Sequence, residues 1–213
     1  MSCLFEIIFL DTMKYKKYLL LTVFLMIIIV FLIYSRNNAD TANLNLQTSI
    51  LSVHVDVYII KYDDEDLSST RNEENILEVF ENVNALWSQS NIRINIKKIE
   101  EVTVDDTSNY YDLNLLLDYM VQSGNYNQSR INAYFAKTLH GSNGIAFPGN
   151  IIMVADVTSV YDFRATSHEI GHVLGLKHVG PISRLMARGV NGFDLIEQEI
   201  NTARNNALRL FQE

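Results

Sequence analysis

The chain has 213 residues, 48% of them hydrophobic and 20% charged, so it is long enough for one sizeable folded domain and its composition excludes global disorder. Its formal charge is −8, and residues 38–213 hold 13 Lys and Arg against 23 Asp and Glu. This acidic balance argues against nucleic acid as a partner, because a nucleic-acid-binding surface is basic. The single cysteine, Cys3, leaves the rest of the chain without a disulfide or a thiolate metal ligand.

An apolar run of seventeen residues without a charge, residues 18–34, follows a lysine-rich start. A cleavable signal peptide has an apolar region of roughly 7–15 residues and a small-residue cleavage site, and this longer run offers no such site. A signal-anchor is therefore favoured over a signal peptide, without excluding it. The lysines predict that residues 1–17 are cytoplasmic and that everything after the run is extracytoplasmic, either membrane-anchored or secreted. Residues 35–51 are polar and read as a linker.

Strands and helices follow one another after the linker. Alternating valines predict a strand over residues 52–61, and a capping box, Thr70 with Glu73, predicts the start of a helix that runs to about residue 89. Further strands are predicted at 91–99, 131–139, 144–148 and 150–156, the last two joined by Pro148-Gly149, with a short helix at 112–123. A helix beginning near Asp162 and a C-terminal helix over 195–211 complete a single α/β domain.

The stretch SHEIGHVLGLKHVGPISRLMARG, residues 167–189, carries the chemistry. On a helix, His168 and His172 lie one turn apart on the same side, and two neutral imidazoles at that spacing can bind one zinc ion at about 2.1 Å. Glu169 lies about 100° around the helix, beside the metal, where it can take a proton from a zinc-bound water. Gly175 can adopt the left-handed conformation that ends a helix, which would let His178 supply a third nitrogen.

The other side of this helix is apolar and is predicted to pack on the sheet, through Phe163, Ile170, Val173 and Leu174. An ordinary helix that contains two histidines by chance is the alternative. The extended pattern of histidines, glutamate and glycine has a chance frequency on the order of one in 10⁵ for a chain of this length, so the metal site is favoured.

These residues resemble those of the metzincin clan of zinc endopeptidases, and the matrixin-like members above all. The resemblance rests on His168, Glu169, His172, Gly175, His178 and Met186. It covers residues 52–213 and implies a zincin-like α/β (α+β) fold. That fold has a twisted, five-stranded, mostly parallel sheet with an antiparallel edge strand, an active-site helix, and a small C-terminal subdomain with a methionine turn and a helix. It further implies one catalytic Zn²⁺ with Met186 beneath it.

The family resemblance also implies where a substrate lies. The edge strand, formed by Gly144, Ile145, Ala146 and Phe147, is expected to pair with an extended peptide. By the same analogy, Leu185 and Val190 are expected to form the side-chain pocket beyond the scissile bond.

Three features depart from the family pattern. Val179, after the third histidine, matches no common subfamily, so the subfamily stays open. Arg188 stands where some members have a metal-binding tyrosine, and Cys3 lies on the wrong side of the apolar run to control latency. His140 and His54 lie outside the motif, and both read as ordinary surface or structural histidines.

The sequence therefore predicts a zinc metalloendopeptidase that hydrolyses extracytoplasmic peptides or proteins by Glu-assisted attack of zinc-bound water. The expected partners are a peptide or protein substrate and, through the N-terminal helix, a membrane; the catalytic domain is expected to be monomeric. One alternative is a membrane-anchored pseudo-protease that binds zinc and peptides but cuts poorly. Another is an interaction protein whose motif is accidental and which binds no stoichiometric zinc.

Overall fold

The computed structural model describes residues 24–36 and 49–211, and the chain divides into two units between Ser49 and Ile50. In the first unit, residues 24–36 are helical. Among the described residues, no helix has both the length and the apolar character needed to cross a membrane. Residues 18–23 of the predicted apolar run and residues 37–48 of the predicted linker lie outside the described residues. The signal-anchor therefore stays a prediction.

The second unit is built on one five-stranded sheet in the order β2-β1-β3-β5-β4. The strands are β1 (Leu51–Lys61), β2 (Ile92–Thr103), β3 (Ile131–Ala136), β4 (Gly144–Phe147) and β5 (Ile151–Ala155). Neighbouring strands run parallel except β4, which pairs antiparallel with β5 and forms one edge of the sheet. The predicted five-stranded, mostly parallel sheet with an antiparallel edge strand is confirmed.

Helices cover both faces of this sheet. One face packs against α1 (Glu73–Trp87), α4 (Asp162–Val173) and α5 (Glu197–Phe211), in the larger of two hydrophobic clusters. The other face packs against α2 (Ser108–Tyr111) and α3 (Leu113–Gln122) in the smaller cluster. Helix α3 is the helix predicted at 112–123, and it begins where the Asp112 carboxylate accepts a hydrogen bond from the Asn114 amide.

The start of α1 differs from the prediction. Asn72, not Thr70, caps the helix: its side chain accepts a hydrogen bond from the Asn75 amide, and the Asn75 side chain accepts one from the Asn72 amide. The backbone and hydroxyl of Thr70 instead donate to the Asp156 carboxylate, at 2.5 and 3.0 Å. The Thr70–Glu73 capping box was therefore wrong, because a charged acceptor from the end of β5 binds Thr70 more strongly than a helix end does.

Candidate metal centre

Three histidine side chains converge beside the sheet. Nε2 of His178 lies 3.1 Å from Nε2 of His168 and 3.1 Å from Nε2 of His172. Among the described residues, these three form the one group of His, Cys, Asp and Glu side chains close enough to share a metal ion, with their ligand atoms within 4.8 Å of one another. Tetrahedral coordination at about 2.1 Å places two nitrogens about 3.4 Å apart, so the donor set fits zinc in number, type and spacing.

The sharp end of α4 brings the third histidine to the other two. Gly175 has φ +81°, and its amide donates to the His172 carbonyl, while the Leu176 amide donates to the Gly171 carbonyl, both at 2.9 Å. These two bonds form a Schellman motif, the helix ending that glycine favours. A side chain at Gly175 would also collide with the Asn206 amide. The left-handed turn predicted at Gly175 is present, and it reverses the chain toward His178.

Backbone carbonyls fix the orientation of two of the rings. Nδ1 of His168 lies 2.8 Å from the Leu185 carbonyl, and Nδ1 of His172 lies 3.0 Å from the Leu176 carbonyl. A carbonyl can only accept, so Nδ1 carries the proton in both rings and the Nε2 lone pair faces the centre. Both rings are thereby held in the tautomer that metal binding needs.

Burial keeps the His168 ring neutral as well. The His168 side chain is 5% exposed, and burial lowers its pKa to about 4. Burial and the neighbouring charges of His172 and Arg188 also lower the pKa of His178. Neutral imidazole is the form that binds a metal, so protons compete weakly for His168 at neutral pH.

Glu169 lies between α4 and the edge strand. It is 6% exposed, and burial raises its pKa to about 7, against the opposing effects of the Arg164 charge and a hydrogen bond from the Ala146 backbone. A carboxyl group with a pKa near neutrality can both accept and return a proton, as a general base must. A Cβ atom on Gly144 would lie 2.7 Å from Cγ of Glu169, so the edge strand needs glycine there to leave room for this side chain.

A folded loop, residues 179–194, forms the floor of the site. The Val179 amide donates to the Met186 carbonyl at 3.1 Å, and the Leu185 amide donates to the Asp194 carbonyl at 3.0 Å. Met186 is fully buried, and its sulfur packs so closely on Gly171 of α4 that a side chain at Gly171 would collide with it. The structure therefore places Met186 against the helix between the turns that carry His168 and His172.

Sequence reasoning missed Arg164, a buried cation that ties this loop to α4. It is 3% exposed, and its guanidinium donates to the Leu185 carbonyl at 2.7 Å and to the Ala187 carbonyl. The Leu185 carbonyl also orients His168, so one oxygen connects the arginine to a candidate ligand. The signal was present in the sequence, because Arg164 lies four residues before His168 and so on the same face of the helix.

An open cleft of about 870 Å³ runs between the edge strand and the metal centre. Strand β4 lines one side with all four of its residues, and α4 and the loop line the other. Val173, which was predicted to pack on the sheet, is half-buried against the larger hydrophobic cluster and also lines the cleft. The expectation for Leu185 and Val190 was wrong, since neither lines the cleft and Leu185 lies in the hydrophobic core. His140 does not line it either: its ring bonds to the Tyr110 carbonyl.

Comparisons with known proteins agree with this geometry. A family model described as metallo-peptidase family M12 matches residues 52–183. No curated protein matches the sequence. The fold is similar to that of archaemetzincin (amzA) from Methanopyrus kandleri, with a TM-score of 0.51 and 14% identity over 73% of this chain and 95% of that one. It is also similar to a chain in a structure of a chaperone-substrate complex, with a TM-score of 0.52 and 17% identity over 75% of this chain and 38% of that one.

Proposed function

Because the chain belongs to metallo-peptidase family M12, we propose that it is a zinc-dependent endopeptidase acting on extracytoplasmic proteins or peptides. One observation carries the proposal: three imidazole nitrogens converge within ligand distance next to a buried carboxyl group. His168, His172 and His178 would hold the metal and leave its fourth position open. A binding module has no use for the base, so Glu169 favours an enzyme over a pseudo-protease.

The residues of the chain divide the work of hydrolysis. Zinc, when bound, would lower the pKa of water and polarise the scissile carbonyl. Glu169 would accept the proton of the attacking water and deliver it to the leaving amine, and the Ala146 amide holds its carboxyl group in place. Met186 supports the helix that carries two of the ligands. The close packing of Glu169 on Gly144 keeps this base beside the strand along which a substrate would lie.

The edge strand is the proposed binding site for the substrate backbone. The outer edge of β4 has no strand partner among the described residues, and the whole strand lines the cleft. An extended peptide in the cleft could therefore add to the sheet through main-chain hydrogen bonds. Binding of this kind depends on the main chain of the substrate and does not by itself select its side chains.

The location and the subfamily are also proposals. The apolar run at 18–34, which follows three lysines, supports a chain anchored in the membrane, or secreted after cleavage, with its catalytic domain outside the cytoplasm. Protection of the domain from added protease in intact cells would contradict that orientation. The spacing from His178 to Met186 supports a matrixin-like member.

Substitution of Glu169 by glutamine tests the function. We expect wild-type, full-length protein to bind one zinc ion and to cleave a mixed peptide library. Glu169→Gln should bind the same zinc and cleave about 10²–10⁴-fold more slowly, since only the proton transfer is lost. Exposed Glu81 on α1 provides the control, Glu81→Gln, which should behave as wild type.

Equal cleavage by Glu169→Gln and wild type would overturn the proposed mechanism. Zinc and peptide binding without any cleavage by wild type would favour the pseudo-protease. Absence of stoichiometric zinc, with a melting temperature insensitive to chelator, would show that the motif is accidental.

A further inference from the structure

The three candidate ligands differ in what faces their second ring nitrogen. His168 and His172 each present Nδ1 to a backbone carbonyl, which is an acceptor. Nδ1 of His178 instead faces a donor, Nε of Arg188, at 2.9 Å. Arginine has no acceptor atoms, so in this arrangement Nδ1 of His178 accepts and its proton resides on Nε2.

In this tautomer, His178 cannot bind a metal through Nε2. Coordination through Nε2 requires the lone pair of that nitrogen, so the ring proton moves to Nδ1. Two donors, Nδ1–H of His178 and Nε–H of Arg188, then face each other and both lack an acceptor. The metal-loaded site therefore needs an acceptor at this position, and metal-bound histidines most often find one in a carbonyl or carboxylate.

The described part of the chain offers no such acceptor. No carboxylate among the described residues lies within ion-pair distance of Arg188, and its two terminal nitrogens have no hydrogen-bond partner there. Glu169 is the single acidic residue that lines the cleft, and it is buried against β4. The other cleft-lining arginine, Arg164, is committed to backbone carbonyls.

We propose that Arg188, together with Nδ1–H of His178, recognises a carboxylate on the substrate next to the scissile bond. This inference rests on the proposed peptidase function and names the substrate class that the same cleft prefers. The guanidinium presents a planar fork of donors that matches a carboxylate. It lies one imidazole ring away from the ligand nitrogen, so the carboxylate belongs to a residue that flanks the cleaved bond.

The carboxylate can come from an Asp or Glu side chain or from the C-terminus of a peptide, and matched peptides distinguish the two. In the first kind of pair, one peptide has Glu and the other has Gln at a position that flanks the cleavage site, and both have blocked ends. Such a pair is made for each flanking position. In the second kind of pair, one peptide has a free C-terminus and the other an amidated C-terminus, at the same distance from the cleavage site as the Glu side chain. We expect kcat/KM to favour the carboxylate member of one pair by roughly tenfold to a hundredfold, as a charge-assisted hydrogen bond predicts.

Three substitutions separate recognition from other roles. Arg188→Gln should bring the ratio of kcat/KM for the paired peptides close to one. Arg188→Glu should reverse the charge preference, so that a peptide with Lys at the same position is cleaved faster than the peptide with Glu. Arg209→Gln removes an exposed arginine of α5 that lies outside the cleft, and the wild-type ratio should persist. An unchanged ratio in Arg188→Gln would overturn the proposal, as would a wild type that does not discriminate between paired peptides.

Binding gives a readout that does not depend on cleavage. Fluorescence anisotropy of the same labelled peptides with Glu169→Gln should show the same carboxylate preference, and Glu169→Gln/Arg188→Gln should lose it. Discrimination in binding without cleavage by wild type would mean that the peptidase function fails while the carboxylate site stands. Cleavage without discrimination between the paired peptides would mean that the peptidase function stands while the carboxylate site fails.

Discussion

The metal centre has two halves that are held in place in different ways. The helical half, His168, Glu169 and His172 on α4, is largely buried, and carbonyls or close packing fix its side chains. The loop half, residues 174–194, presents an exposed His178 and an exposed Arg188. The spacing of one helix thus places the helical half, and the Leu185 and Leu176 carbonyls orient its two rings, whereas the position of the loop half depends on contacts between residues distant in the sequence. Substitutions in the two halves should therefore have different costs.

Removal of a ligand from each half should show the largest contrast. Both His168→Ala and His178→Ala should reduce peptide cleavage to the level of the metal-free protein, because each removes one of three ligands. In the presence of chelator, His168→Ala should lower the free energy of unfolding by about 1–3 kcal/mol, since it leaves a cavity and removes a buried hydrogen bond. His178→Ala should change it by less than about 0.5 kcal/mol. Urea unfolding measures both, and equal losses would contradict the comparison.

Arg164 joins the two halves, so its removal should affect both stability and metal binding. Arg164→Met should lower the free energy of unfolding by about 2–4 kcal/mol, because the Leu185 and Ala187 carbonyls lose a charged donor. It should also weaken zinc binding by about 10–100-fold, the usual cost of losing a group that orients a ligand.

Arg209→Met provides the control for loss of an exposed arginine, and it should stay within about 0.5 kcal/mol of wild type. Arg164→Lys, which keeps the charge but not the fork, should recover part of the zinc affinity. Wild-type zinc affinity in Arg164→Met would show that this arginine does not position the site.

A methyl group at Gly144 should disturb the base without disturbing the metal. In Gly144→Ala, Cγ of Glu169 has to move away from the new Cβ, and displacement of a reacting group by about 1 Å costs about 10²-fold in rate. We expect kcat/KM to fall by that order while one zinc ion stays bound. Gly180→Ala is the control, because nothing lies within 4 Å of its Cβ position. A parallel loss in both variants would mean that the effect is not specific to Glu169.

The smallest effect is expected at Met186. Met186→Leu keeps the volume approximately, so it should cost less than about 1.5 kcal/mol of stability and less than tenfold in zinc affinity. Met153→Leu, in the core on the opposite face of the sheet, should cost a similar amount of stability with no change in zinc affinity. Complete loss of zinc from Met186→Leu would show that the sulfur does more than fill space against Gly171.

Most of the sheet and the helical half could be predicted because both depend on local periodicity. Alternating residues predict β1, and the i, i+4 spacing alone puts His168 and His172 on one side of α4. A strand pattern does not reveal how much of its second face is covered. Tyr58, on the polar face of the β1 pattern, is buried because α2 and α3 cover that side of the sheet.

The loop half shows where prediction from the sequence stops. The glycine at position 175 predicts a helix end, and the structure has it, because the left-handed conformation is a local preference. The sequence does not predict that Arg164 would donate to carbonyls more than twenty residues away. Nor does it predict that Thr70 would donate to the Asp156 carboxylate instead of capping α1. In both cases a charged side chain binds a partner that is distant in the sequence, and only the folded chain brings the two together.

The sequence by itself determined the chemistry of the site, namely three imidazoles, one carboxyl group and a glycine turn at fixed intervals. The tertiary structure decided its environment, with Glu169 against the edge strand, Met186 under α4, and Arg188 across from His178. The physical reason is range: helical spacing and backbone conformation act over a few residues, while burial, packing and charge pairing act between any residues that the fold brings together.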